Sequence, residues 1–244
     1  MKESTNIFGI RAVIEAVQNG KSIDKIYLQK GLHGSLIQEL QKLIAQHSLN
    51  FSYVPIEKLN KLVHGNHQGV IASISPIHFS TLDEEVPKSK EGKTYPLFLI
   101  LDQITDARNF GAIIRTAECC GVSAIIIQKK SAAPVNADTI KTSAGAVFNV
   151  PIIKVDHIKD AIHYMQSSEI TVIAATEKTS NLLYEIDFNI PVAIVMGNEE
   201  KGVSEGVLKL VNNKAKLPLM GTIASLNVSV ACGAFLYEIV RQRL

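Results

Sequence analysis

Apolar positions in the first eighty residues alternate between two rhythms. Within residues 7–17, Ile10, Val13, Ile14 and Val17 recur at helical spacing, and Asn19-Gly20 ends the pattern. Lys25-Ile-Tyr-Leu-Gln then reads as a strand. Leu36, Ile37, Leu40, Leu43 and Ile44 line one face of a second predicted helix. A short strand at 51–54, a helix at 56–63 and a strand at 69–75 complete a compact α/β module. Residues 80–94 break the rhythm, being polar with Pro and Gly and hardly an apolar anchor, so a linker is predicted at 81–94. Beyond it, near-continuous apolar runs at 97–101, 123–128, 150–154, 170–175 and 192–196 alternate with amphipathic segments. Strands buried on both faces belong to a parallel sheet covered by helices on each side. A long helix at 225–243 closes the pattern. The prediction is two α/β domains, 1–80 and 95–244, with the parallel sheet in the second.

Composition narrows the class without naming a function. The 244 residues, 46% apolar and 20% charged, suffice for two separate cores and exclude a disordered or fibrous chain. Apolar runs fall far below the ~20 residues of a membrane span, and the first nine residues lack the apolar core of a signal peptide. Together they lead us to expect a cytoplasmic protein without a membrane partner. Three cysteines, two of them adjacent, make no disulfide framework and no zinc spacing, so buried structural thiols and no metal are expected. The net charge of +2 is unevenly spread: residues 1–80 carry eight Lys/Arg against five Asp/Glu and five of the seven histidines, whereas from residue 95 onward the balance is fourteen to fourteen. A mildly basic N-terminal part suits RNA, and suits an ordinary solvated surface equally well.

Three segments of the second domain set glycines and polar residues at strand ends, where open α/β sheets bind ligands. In the first, Leu101-Asp-Gln-Ile-Thr-Asp-Ala-Arg-Asn-Phe-Gly-Ala-Ile-Ile-Arg, Asn109 and Arg115 lie six residues apart in a predicted helix. Arginine can donate two parallel hydrogen bonds to a phosphodiester; a capping Asn and a surface Arg would look the same. The second, Val195-Met-Gly-Asn-Glu-Glu-Lys-Gly-Val-Ser, is a glycine loop after a buried strand. It is neither a P-loop nor a dinucleotide fingerprint, and its paired acids disfavour a phosphate cradle. The third runs from Leu217-Pro-Leu-Met-Gly to Ser225-Leu-Asn-Val-Ser at a predicted helix start. Leu217, Leu219, Met220 and Leu226 could line a slot for an adenine ring, or form an ordinary core.

In this order and at these distances the three segments resemble the signature motifs of the SpoU or TrmH branch of the SPOUT methyltransferases. Asn109, Gly111 and Arg115 match an Asn-x-Gly-x-x-x-Arg motif; Gly197, Glu199 and Gly202 match Gly-x-Glu-x-x-Gly; residues 217–231 match the third. Gly9-Ile-Arg-Ala-Val-Ile-Glu-Ala and His67-Gln-Gly-Val are similar to the substrate-binding domain of the ribosomal guanosine-2′-O-methyltransferase group, so the resemblance spans nearly the whole chain. One departure is Ala107, where the family often has Pro; it loosens a turn and removes no functional group.

The resemblance implies an α/β fold in which a parallel-sheet catalytic domain with a C-terminal trefoil knot follows a small α/β RNA-binding domain. It implies a homodimer with active sites near the subunit interface, and S-adenosylmethionine held near Thr176, Gly197, Leu217, Met220, Ser225 and Leu226. It implies methyl transfer to a ribose 2′-hydroxyl of RNA, most naturally a guanosine of 23S ribosomal RNA, with transfer RNA or a non-catalytic RNA-binding role as rivals. Arg115 would act on the hydroxyl as an unusual base or by orienting the adjacent phosphate. A guanidinium as a class holds its proton, which favours orientation. Asn109 would hold the ribose or Arg115, Glu199 would order the loops, and Ser225 and Asn227 would complete the site. Arg11, Lys61, His67 and Gln68 are the expected RNA contacts of the first domain.

Overall fold

The computed structural model describes residues 6–92 and 95–244. Positions 1–5 and 93–94, which fall in the expected first domain and linker, lie outside the described residues. The chain divides into two units, one ending at His78 and the other beginning at Phe79.

The first unit runs β1 (Asn6–Phe8), α1 (Ile10–Gln18), β2 (Ile23–Gln29), α2 (Ser35–Gln46), β3 (Phe51–Val54), α3 (Ile56–Leu62) and β4 (Val70–Ile74). Its sheet has the order β1-β4-β2-β3, parallel only between β2 and β3. Period-two alternation along β2 sends Ile26 and Leu28 into a core with Val13 and Ile14 of α1 and Ile37, Leu40 and Ile44 of α2. A smaller cluster gathers Val54, Leu59, Val63 and Ile71.

The second unit contains α4 (Leu82–Ser89), β5 (Leu97–Leu101), α5 (Ala107–Cys119), β6 (Ala124–Gln128), α6 (Ala137–Thr142), β7 (Ile152–Val155), α7 (Ile158–Ser167), β8 (Thr171–Ala175), β9 (Val192–Met196), α8 (Glu205–Leu208), β10 (Asn213–Ala215) and α9 (Val228–Arg243). Every pairing in its sheet is parallel, in the order β10-β8-β9-β5-β6-β7. All residues of β5 and β9 are buried, which explains their unbroken apolar runs. The strand order reverses beside β5: β6 and β7 follow on one flank, β9 and β8 on the other. The loops leaving β5 and β9 therefore open the crevice where such sheets bind ligands.

Two expectations change here. The predicted linker holds a helix, α4, because Thr81 and Glu84 form a reciprocal capping box and Val86 drops into the core beside Ile158, Ile162 and Met165. Tyr164 donates a 2.6 Å hydrogen bond to Asp83 and Lys90 one of 2.6 Å to the Ser168 carbonyl, tying α4 down at both ends. The closing helix starts at Val228 rather than 225, since Asn227 is its N-cap and accepts from the Ser229 and Val230 amides. Among the described residues no helix is long and apolar enough to cross a membrane.

Candidate active site

Asp102 and Asp106 shape the loop that leaves β5. Asp106 caps α5 by accepting from the Arg108 and Asn109 amides at 2.9 and 2.8 Å, which fixes Asn109 in the first turn. Asp102 is buried; its Oδ2 accepts from the Ser204 amide at 2.8 Å, and its own amide donates to the Met196 carbonyl. The loops after β5 and β9 are thus joined. Asn198 adds to this by donating from Nδ2 to the Gln103 carbonyl, while its Oδ1 accepts from the Glu200 amide.

Glycine is required at 197. A Cβ there would fall 2.1 Å from the Val203 nitrogen and 2.2 Å from the Gly202 carbonyl carbon, because the Asn198–Gly202 backbone pair folds the loop back on its own start. That fold turns Glu199 toward α5. Asn109 Nδ2 donates to the Glu199 carboxylate, and Asn109 Oδ1 accepts from Asn227 Nδ2 at 3.2 Å. One residue from each of the three motifs enters this chain of hydrogen bonds. Gly111 has a packing role, since a Cβ would meet Thr142 Oγ1 at 1.8 Å and the Thr139 carbonyl at 2.9 Å where α5 crosses α6.

A cleft of about 380 Å³ opens beside the glycine loop, within the size range of small-molecule sites. Thr176, Gly197, Glu199, Leu217, Ser225 and Leu226 line it, so five of the six expected cofactor contacts converge. Met220 does not; it is 97% exposed on a loop whose residues 218–227 all face solvent. Sequence reading missed Lys178, Lys216 and Phe235 on the cleft wall. Phe235 lies among the helical apolar residues of α9; Lys178 follows β8, a strand the sequence did show, and Lys216 follows β10, which it did not. Apolar Leu217, Leu226 and Phe235 facing a bare Gly197 backbone suit a flat heteroaromatic ring, and the charged rim suits a zwitterionic tail. The residues present fit S-adenosylmethionine.

Arg115 is not brought into that cleft. Six residues place it ~9 Å along α5 from Asn109 and about a third of a turn around it, exposed and with no hydrogen bond or ion pair among the described residues. Among the described residues no group of three His, Cys, Asp or Glu converges as metal ligands. Burial pushes the Cys232 thiol far up and that of Cys120 to about 11, consistent with inert structural groups; Cys119 departs from expectation by being exposed.

In the first unit Arg11, Lys61 and Gln68 are exposed. His67 is not, which corrects its reading as an RNA contact: it is 6% exposed, its Nδ1 accepts from the Gly69 amide at 3.0 Å, and its Nε2 pairs with Asn60 Oδ1 at 2.8 Å. Gln68 also has local work, its Oε1 accepting from the Ile10 amide at the start of α1. His67→Ala should lower stability by about 1–3 kcal/mol in denaturant titration, since it strands a buried partner, with RNA affinity preserved. Unchanged stability together with lost RNA affinity would restore the contact role.

The comparisons agree with this geometry. Residues 96–237 match the family model described as the SpoU rRNA methylase family, and residues 6–80 match RNA 2′-O ribose methyltransferase substrate binding. The 23S rRNA (guanosine-2′-O-)-methyltransferase RlmB of Pseudomonas aeruginosa is 33% identical over 246 residues, covering 100% of this chain and 98% of that protein. YacO of Bacillus subtilis, assigned to the TrmH family of tRNA/rRNA methyltransferases, is 32% identical over 237 residues, 97% and 95% of the two chains. The AdoMet-bound rRNA methyltransferase of Sinorhizobium meliloti superposes with a TM-score of 0.63 at 25% identity, covering 98% of this chain and 87% of that one. With three motif residues joined across the loops of a parallel sheet, and both units matched over almost their full length, the chain belongs to the SpoU family of RNA methyltransferases.

Proposed function

We propose that this enzyme transfers a methyl group from S-adenosylmethionine to a ribose 2′-hydroxyl of RNA, and that its target is a guanosine of 23S ribosomal RNA. The observation that carries the reading is the hydrogen-bonded chain Glu199–Asn109–Asn227 at the rim of a cleft with an apolar wall and a glycine floor. The ribosomal reading is supported by the end-to-end match with the Pseudomonas 23S rRNA enzyme, which covers both units. The first unit would select the RNA and the second would carry out transfer, the boundary falling near residues 78–80.

Bound S-adenosylmethionine would supply an activated methyl group for the hydroxyl oxygen, with S-adenosylhomocysteine as the leaving thioether and the hydroxyl proton passing to a base or water. The protein's part is close approach. Glu199, held by Asn109, fixes the glycine loop, and Ser225 supplies a hydroxyl at the cleft wall. Arg115 would grip the phosphate beside the reacting ribose. We further propose that the segment from β9 to α9 is threaded as a trefoil knot and that a second copy of the chain covers α9. Val230 and Tyr237, one heptad apart on that helix, are 57% and 56% exposed, and Ile223 on the preceding loop is 78% exposed. Such a copy would bring the solvent-facing Arg115 toward an interface. The test is mass-spectrometric mapping of ribose methylation in ribosomal and transfer RNA from cells with and without the gene. One ribosomal guanosine should lose its 2′-O-methyl group; a loss confined to transfer RNA would overturn the ribosomal assignment, and unchanged RNA the activity.

A further inference from the structure

A second concavity of the catalytic unit, about 590 Å³, lies along the open edge of its sheet. β10 is the terminal strand there. Lys209 at the end of α8 and Lys214 and Asn213 on β10 face Thr179 and Asn181 from the segment after β8, with Glu205 the one acid on the wall. No ion pair engages Lys209 or Lys214 among the described residues. By contrast Lys129, at the opposite flank of the sheet, is held by Asp156 at 3.0 Å. Two free ammonium groups beside amides and a hydroxyl, which both donate and accept, make a surface for an anion that also carries hydroxyls.

The concavity and the cofactor cleft are lined by neighbouring residues of the chain. Lys214 on β10 and Lys216 just after it flank Ala215, which is fully buried, so by strand alternation both lysines lie on the opposite side from it. Lys214 lines the edge groove and Lys216 the cleft; likewise Lys178 lines the cleft and Thr179 the groove. The same two chain segments thus supply lysines to both, Lys178 and Lys216 to the cleft and Lys214 to the groove. We infer that this edge groove holds the phosphodiester backbone of an unpaired RNA strand next to the nucleotide being methylated. The inference rests on the RNA methyltransferase reading and adds a contact surface outside the three motifs. A groove of this volume admits a strand, and recognition of unpaired RNA leaves the target ribose free to enter the cleft.

The experiment compares full-length parent, the double variant Lys209→Ala/Lys214→Ala, and Lys130→Ala as a control beyond the end of β6. Binding of a short unstructured RNA oligonucleotide is titrated across salt, and S-adenosylhomocysteine binding and melting temperature are measured alongside. Loss of two phosphate contacts should flatten the slope of log K against log salt by about 1.4 and weaken binding about tenfold at low salt. The control should match the parent, and cofactor affinity and melting temperature should not change. A parental slope in the double variant, or an equal loss in the control, overturns the groove while leaving RNA methylation standing. A parent that neither binds nor methylates RNA overturns both.

Discussion

Replacing Arg115 by Ala or Lys is expected to slow methyl transfer on the order of 100-fold or more while leaving the fold and cofactor binding as they were. The two halves of that expectation come from different observations. Arg115 is exposed on α5 and has no hydrogen bond or ion pair among the described residues, so its removal should change stability by no more than about 0.5 kcal/mol. It also lies outside the cleft, so S-adenosylhomocysteine should bind with parental affinity in calorimetry. A side chain with no structural work, six residues after the hydrogen-bonded Asn109, is free to meet substrate. Lys keeps the charge but loses the planar fork, so the Lys variant isolates the geometry of phosphate contact. Single-turnover assays separate transfer from product release. Near-parental rates in both variants would remove Arg115 from the mechanism and turn attention to Asn109 and Glu199.

Gly197→Ala should act in the opposite way, through structure and cofactor together. Its Cβ would meet backbone atoms of Gly202 and Val203, and no rotamer change can relieve contact with backbone. The loop must open, breaking the Asn198–Gly202 pair and withdrawing Glu199 from Asn109. We expect a stability loss of about 2–4 kcal/mol and cofactor affinity reduced by at least about tenfold, the equivalent of roughly 1.4 kcal/mol. Gly221→Ala is the matched control, since nothing lies within 4 Å of the added methyl and its φ is not positive. Parental affinity and melting in Gly197→Ala would show that the loop does not need its close approach.

The sequence made some of this visible for reasons the structure explains. β5 and β9 were legible because they are buried on both faces. β10 was not legible, since Asn213-Lys-Ala is short and polar and gains its partner only from β8. Helix α4 carried a readable capping box, yet its charges outweighed one buried Val86 in a linear reading. The motifs identified Asn109, Glu199 and Asn227 but not their mutual hydrogen bonds. His67 was expected at the RNA surface from the resemblance of its segment, which carries no information on burial, whereas its ring occupies a buried niche between Asn60 and Gly69. Which side of α5 carries Arg115 relative to the cleft depends on how α9 packs, and no local pattern encodes that.

The link from Asn109 to Glu199 spans 90 residues of chain and that from Asn109 to Asn227 spans 118. Contacts so remote in sequence close long loops, which tends to slow their formation. During synthesis the chain emerges from its N-terminus, so a nascent polypeptide can complete its first unit and much of its parallel sheet while its catalytic grouping does not yet exist. The grouping is complete only once the last helix is made, so a chain ending shortly before Asn227 would lack the Asn109–Asn227 link however much of the sheet it had formed.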